Sequence, residues 1–197
     1  MKDKEGQTQY RFLKPNDVYL DSIKLAKMLV EKQVSPHFLV GVWRGGAPIA
    51  LYVQGYLEKE GIFVDHIPIR SSLYKSPNQR KDTVGVHGLE YVTKRVEPQH
   101  TVLIIDDVFD SGLTMDAIVK ELKSSAGKNA PENIIIATLY YKPEKNKTPL
   151  KPDFHVNEVT DEWIVFPHEI ADMPEGQFDI EFAETQNMTK EARSFFG

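Results

Sequence analysis

Cysteine is absent from all 197 residues, which excludes disulfides and thiolate metal sites. The six histidines are scattered, with no pair at helical ligand spacing, so a zinc centre is not expected. No apolar run approaches the ~18 residues that a membrane span needs. The first residues, MKDKEGQTQYRF, lack the apolar core of a signal peptide, and a cytoplasmic location is expected. A basic excess is missing too. With 24 basic and 29 acidic residues and a formal charge of −5, global charge speaks against a nucleic-acid partner.

What is present reads as one ordinary globular domain over residues 1–197, 41% hydrophobic and 27% charged, long enough to bury a core. Residues 17–30 are expected to form a helix with Leu20, Ile23, Met28 and Val30 on its apolar face. The apolar run 37–42 ends in WRGG and leads into a second helix over 47–57. Residues 62–69 alternate like a strand, whereas 70–88 is polar, without sustained periodicity, and reads as a long loop or loose hairpin. TVLII (101–105) and IIIATLYY (134–141) are continuous apolar strands. Between them Met115, Ile118, Val119 and Leu122 recur at helical spacing. Strands too apolar to have a wet face, alternating with helices, imply an α/β fold whose mostly parallel sheet is covered on both sides. A core over about 17–145 is expected, with the chain ends forming a smaller hood over about 146–185 plus the N-terminus.

The densest chemistry lies in DDVFDSGLT (106–114). Three carboxylates crowd the end of an apolar strand, where ligands of parallel sheets bind. The following SGLT supplies a glycine, two hydroxyls and the first amides of a helix, a cradle for phosphate. It lacks the spacing and the lysine of a Walker P-loop. Adjacent carboxylates can accept hydrogen bonds from a sugar diol, so the string suits a ligand carrying phosphate beside ribose.

The string resembles the 5-phosphoribosyl-1-pyrophosphate signature of the type I phosphoribosyltransferases. The resemblance implies the corresponding fold, in which Asp106 and Asp107 hold the ribose hydroxyls, Asp107 lies near a Mg2+ ion, and Asp110, Ser111, Gly112, Leu113 and Thr114 wrap the 5-phosphate. Adenine and uracil enzymes of this kind usually carry alanine where Asp110 stands, and orotate enzymes threonine. An aspartate looks like the 6-oxopurine branch, where it faces N7 of the base as general base.

Other segments resemble the same branch. Arg44 and Gly45 fall in the loop that binds pyrophosphate, which often contains a cis peptide, here between Trp43 and Arg44. SSLYKSPNQR (71–80) is similar to a mobile loop whose arginine, here Arg80, reaches pyrophosphate. Lys142 corresponds to the lysine that donates to the purine 6-oxo group. In DEWIVFPHE (161–169), Trp163 would stack on the base, the Ile164 backbone would read its edge and Glu169 would lie near the metal. The implied activity is purine salvage from phosphoribosyl pyrophosphate and a 6-oxopurine (hypoxanthine, xanthine or guanine), with a homodimer or homotetramer expected. The rival is a non-catalytic regulator on the same fold that senses phosphoribosyl pyrophosphate or nucleotides.

Overall fold

The computed structural model describes residues 10–74, 83–160 and 162–172. In chain order its elements are Tyr10–Phe12 (β1), Pro15–Glu31 (α1), Phe38–Trp43 (β2), Gly46–Lys59 (α2), Asp65–Tyr74 (β3), Thr83–His87 (β4) and Glu90–Thr93 (α3). Thr101–Phe109 (β5), Leu113–Ala126 (α4), Asn133–Tyr141 (β6), Phe154–Glu158 (β7) and Trp163–Val165 (β8) follow.

The apolar runs become the central strands because both of their faces are covered. A six-stranded sheet has the order β4-β3-β2-β5-β6-β7, parallel throughout except for the antiparallel edge strand β4. Alternation along β5 divides the core. Leu103 and Ile105 pack with Leu25 and Leu29 of α1 and Ile49 and Val53 of α2. Val102 and Ile104 pack with Met115, Ile118 and Leu122 of α4. Burying one such aliphatic side chain contributes roughly 1.5–3 kcal/mol, and these two layers hold the sheet between its helices.

The chain runs from β2 outward to β3, then returns to place β5 on the other side of β2. This reversal leaves a crevice beyond the carboxyl ends of β2 and β5, where open α/β sheets bind ligands. Above it, β1 and β8 pair parallel as a separate two-stranded hood.

Several elements differ from the sequence expectation. The buried face of α1 is Val18, Ser22, Leu25, Ala26 and Leu29, while Leu20 is exposed. A serine interrupts that stripe, and Ser22 fits because its hydroxyl donates to the Val18 carbonyl at 2.7 Å. Counting apolar residues alone therefore misplaced the centre of the face, although Val30 does pack against the core. The strand expected over 62–69 lies at Asp65–Tyr74 instead. Of the two alternatives for 70–88, a long loop or a loose hairpin, the hairpin holds where Arg70–Tyr74 pairs antiparallel with Thr83–His87; edge pairing needs no apolar run. β7 joins the main sheet beside β6 rather than belonging to the hood. Its sequence, FHVNE, has only two apolar residues, enough for a half-buried edge strand but too few to announce one.

Candidate active site

β5 continues through the acidic residues to Phe109, so Asp106 and Asp107 belong to the strand rather than to the loop after it. That changes their geometry. Successive side chains of a strand point to opposite faces, and the two carboxylates part accordingly. Asp106 lines a cavity on the α4 side with Val108–Gly112, Thr114 and Met115. Asp107 lines a cavity on the hood side with Lys142, Trp163, Ile164, Phe166 and Glu169. Val108 and Asp110 line both, so the two chambers meet at Asp110.

Backbone amides take part of the acidic charge. Asp107 N–H donates to Asp106 Oδ1 at 3.0 Å, and Val108 N–H to Asp107 Oδ1 at 2.7 Å. Burial nevertheless pushes the Asp106 carboxyl well above the usual carboxylate range, and the neighbouring Asp107 charge adds to the rise. Across the ladder from Asp106 stands Thr138, buried, with its hydroxyl unpartnered.

The turn 110–112 opens α4. Gly112 is the N-cap at φ 75°, ψ −7°, and no side chain caps the helix. The Leu113 amide reaches only the Ser111 hydroxyl, at a long 3.5 Å, so the first turn stays open to a ligand, as a phosphate site requires. A side chain at Gly112 would be strained by that φ, and its Cβ would lie 2.5 Å from Thr148 Oγ1 and 2.8 Å from Asn146 Oδ1. These two residues form a wall behind the cradle. Asn146 Oδ1 accepts from Thr148 N–H at 2.9 Å, its Nδ2 donates to the Leu150 carbonyl at 2.6 Å, and Lys147 N–H donates to the Ser111 carbonyl at 2.9 Å.

On the other face, the turn after β2 presses against β5. The Trp43–Arg44 peptide is cis, as the family resemblance implied. A Cβ at Gly45 would overlap the Asp107 carboxylate, and one at Gly46 would overlap the Ile105 carbonyl. Only glycine permits this approach, and it brings the backbone beside Arg44 against Asp107.

Lys142 follows β6, and its N–H donates to the Phe109 carbonyl at 2.9 Å. That bond brings the ends of β5 and β6 together and puts Lys142 Nζ 3.2 Å from Asp110 Oδ2. Trp163, on the hood, lies 51% exposed with the Lys142 ammonium 5.9 Å from its ring centroid. Ile164 beside it is buried. The cavity they bound measures about 170 Å3. Glu169 lines it as well, with Oε2 accepting the Phe166 N–H at 2.9 Å. The hood is tied down by Arg11, whose guanidinium lies 3.6 Å from Glu162 and 5.6 Å from the Tyr140 ring centroid.

The structure thus gathers Arg44, Gly45, Asp106, Asp107, Asp110–Thr114, Lys142, Trp163, Ile164 and Glu169 around one crevice. Arg80 lies outside the described residues. Among the described residues no three acidic, histidine or cysteine side chains converge as a metal cage. The carboxylates of Asp107 and Glu169 bordering one cavity fit magnesium, which takes one or two protein carboxylates and completes its shell with water and phosphate oxygens. Two participants escaped the sequence reading. Asn146 lies in KPEKNKTPLK (142–151), a Pro- and Lys-rich stretch without a motif. His168 faces Asp107 at 3.4 Å from within a motif whose other residues drew the attention.

Comparison with known proteins gives the family and the fold. The model of the phosphoribosyl transferase domain family matches residues 11–172; the chain belongs to that family. A purine phosphoribosyltransferase from Pyrococcus horikoshii is 28% identical, with a TM-score of 0.63, covering 86% of this chain and 99% of that one. The xanthine-guanine-hypoxanthine phosphoribosyltransferase of Helicobacter pylori shares the fold at 20% identity and a TM-score of 0.65, over 83% of this chain and 96% of that one. A Neisseria gonorrhoeae protein with bound ppGpp does so at 22% identity and 0.66, over 84% and 92%. Curated protein sequences give no match. Among the described residues no helix is long and apolar enough to cross a membrane.

Proposed function

We propose that the chain is a cytoplasmic purine salvage enzyme that joins a 6-oxopurine to the ribose of phosphoribosyl pyrophosphate, yielding a nucleoside 5'-monophosphate and pyrophosphate. The observation that carries this reading is the Lys142–Asp110 pair, 3.2 Å apart, at the junction of the two chambers. A 6-oxopurine presents an acceptor at O6 and, as its N7–H tautomer, a donor at N7. A lysine is donor-only and an ionised aspartate acceptor-only, so the pair complements that pattern.

The 5-phosphate would rest on the α4 amides with Ser111 and Thr114, and the ribose diol on Asp106 and Asp107. Asp110 would then accept the N7 proton as the base attacks C1, a contribution of ~10²–10⁴-fold. Trp163 would cover the purine face and the Ile164 backbone its edge. Arg44, the Gly45 backbone and Arg80 would hold the leaving pyrophosphate, where most of the new charge develops. Asp107, with Glu169 beside it, would hold a magnesium ion, which supplies positive charge for that leaving group.

The regulator reading has one observation in its favour, the ppGpp bound by the Neisseria protein. Against a sensor of phosphoribosyl pyrophosphate alone, this chain carries the base-complementary pair and the aromatic cover; a guanine-nucleotide sensor would use them too, and only turnover separates it from the enzyme. Exposed Trp43 and Leu51 offer apolar surface for the homodimer or homotetramer expected of such an enzyme. The test is formation of inosine monophosphate from hypoxanthine, magnesium and phosphoribosyl pyrophosphate, followed by chromatography. Absence of product with every 6-oxopurine would refute the reading.

A further inference from the structure

The turn after β8 places a histidine where three elements meet. His168 Nε2 stands 3.4 Å from Asp107 Oδ2, and the two side chains are only 22% and 19% exposed. A Cβ built at Gly45 would lie 2.9 Å from the same nitrogen, so the imidazole also covers the turn after β2. The ring is held from behind. Phe166 stacks on it at 5.3 Å and 27°, and two hydrogen bonds close the turn, Glu169 N–H to the Phe166 carbonyl and Phe166 N–H to Glu169 Oε2, both 2.9 Å.

Nε2 is the ring atom turned to the corner between Asp107 and Gly45, and an imidazole N–H there is a donor to any anion that enters the corner. Neither chamber uses it: the cradle at α4 lies across β5, and the cavity under Trp163 is lined by other residues. The ligand group that belongs beside the Arg44–Gly45 turn is pyrophosphate, on the phosphoribosyl-transfer reading above, and this inference rests on that reading.

We propose that His168 is a further binding residue for pyrophosphate. Its Nε2–H faces Asp107 in the ligand-free protein and donates to a pyrophosphate oxygen once the substrate engages that carboxylate. The donor thus comes from the same short turn that carries Glu169 and lies just beyond Trp163. Base recognition and grip on the leaving group are linked through one piece of backbone.

The test is calorimetric titration of the full chain with magnesium pyrophosphate and, separately, with inosine monophosphate, for the wild type, His168→Ala and His168→Gln. Loss of a hydrogen bond to a charged group predicts that the alanine variant binds pyrophosphate about tenfold or more weakly. Its affinity for inosine monophosphate should stay within about twofold, which also shows that it folds. Glutamine, which keeps an N–H donor, should recover part of the loss. Unchanged pyrophosphate affinity in the alanine variant, or equal loss for both ligands, would overturn the assignment while purine turnover by the wild type left the reaction reading intact. A wild type that shows the pyrophosphate contrast but turns over no purine would fail the reaction reading alone. One that binds no pyrophosphate overturns both.

Discussion

Lys142 Nζ lies 3.2 Å from Asp110 Oδ2, with the lysine side chain 4% exposed and the aspartate 41%. The lysine is thus desolvated, while the aspartate reaches toward the crevice. In the ligand-free chain the ammonium donates to that carboxylate, so an arriving base has to take over both partners, and the two variants should separate their roles. Asp110→Asn removes the acceptor for the N7 proton. It should lower kcat by ~10²–10⁴-fold and leave affinity for phosphoribosyl pyrophosphate nearly unchanged. Lys142→Ala should mainly raise KM for the base. Steady-state kinetics with the two substrates varied independently checks both. Equal effects on both KM values would contradict the division of labour.

Asp106 costs the ligand-free fold stability at neutral pH. Burial raises its carboxyl well above the usual range, with Asp107 adding to the rise. The folded state therefore binds the proton more tightly than the unfolded state, and stability falls as pH climbs from the unfolded carboxyl range through the folded value. Asp106→Asn should raise Tm of the metal-free protein by about 2–4 °C at neutral pH for each kcal/mol recovered. The gain should fade as pH drops toward 4, and phosphoribosyl pyrophosphate should bind more weakly. Thermal melts across pH, with calorimetry, test both. A gain that does not change with pH would assign the effect to packing instead.

Much of this site was legible in the chain because its chemistry sits in one continuous string. DDVFDSGLT carries the cradle, the paired acids and the proposed proton acceptor in nine residues, and its apolar prefix announces the strand. Less local features were not legible. That Asp106 and Asp107 face different chambers depends on β5 continuing to Phe109, and β-sheet pairing at a strand end leaves no compositional mark. β7 was hidden because an edge strand needs little apolar surface. His168 and Asn146 act through contacts with residues 61 and 34 positions away in the chain (168 − 107 and 146 − 112), which no local pattern encodes.

Gly112 offers a test of the wall behind the phosphate cradle. An alanine there would combine a strained φ of +75° with a Cβ 2.5 Å from Thr148 Oγ1. A non-glycine residue in this region costs about 1–2 kcal/mol, and relief requires the Asn146–Thr148 segment to retreat. Gly112→Ala should lower Tm by several degrees and raise KM for phosphoribosyl pyrophosphate, with little change in KM for the base. A variant with the wild-type KM would show that the cradle does not depend on this packing.

Arg11 ties the hood to the sheet through the ring of Tyr140, while its contact with Glu162 lies within the hood. The arginine side chain is 47% exposed, so each contact is worth less than about 1 kcal/mol. Arg11→Ala should therefore leave Tm nearly unchanged yet raise KM for the base a few-fold, about what a loss below 1 kcal/mol allows, because β1 pairs with the strand that carries Trp163. An increase confined to KM for phosphoribosyl pyrophosphate would place the hood's influence elsewhere.

The most direct measurement is the rate of pyrophosphate release when the protein is mixed with magnesium, phosphoribosyl pyrophosphate and, in turn, hypoxanthine, guanine, xanthine and adenine. Adenine would turn an amino donor toward the Lys142 donor and leave buried polar groups unpaired. Sites built on such hydrogen bonds discriminate by ~10⁴–10⁵-fold. The expected result is turnover of at least one 6-oxopurine with kcat/KM above that for adenine by a factor of this order. Efficient turnover of adenine, or release that does not depend on which base is present, would contradict it.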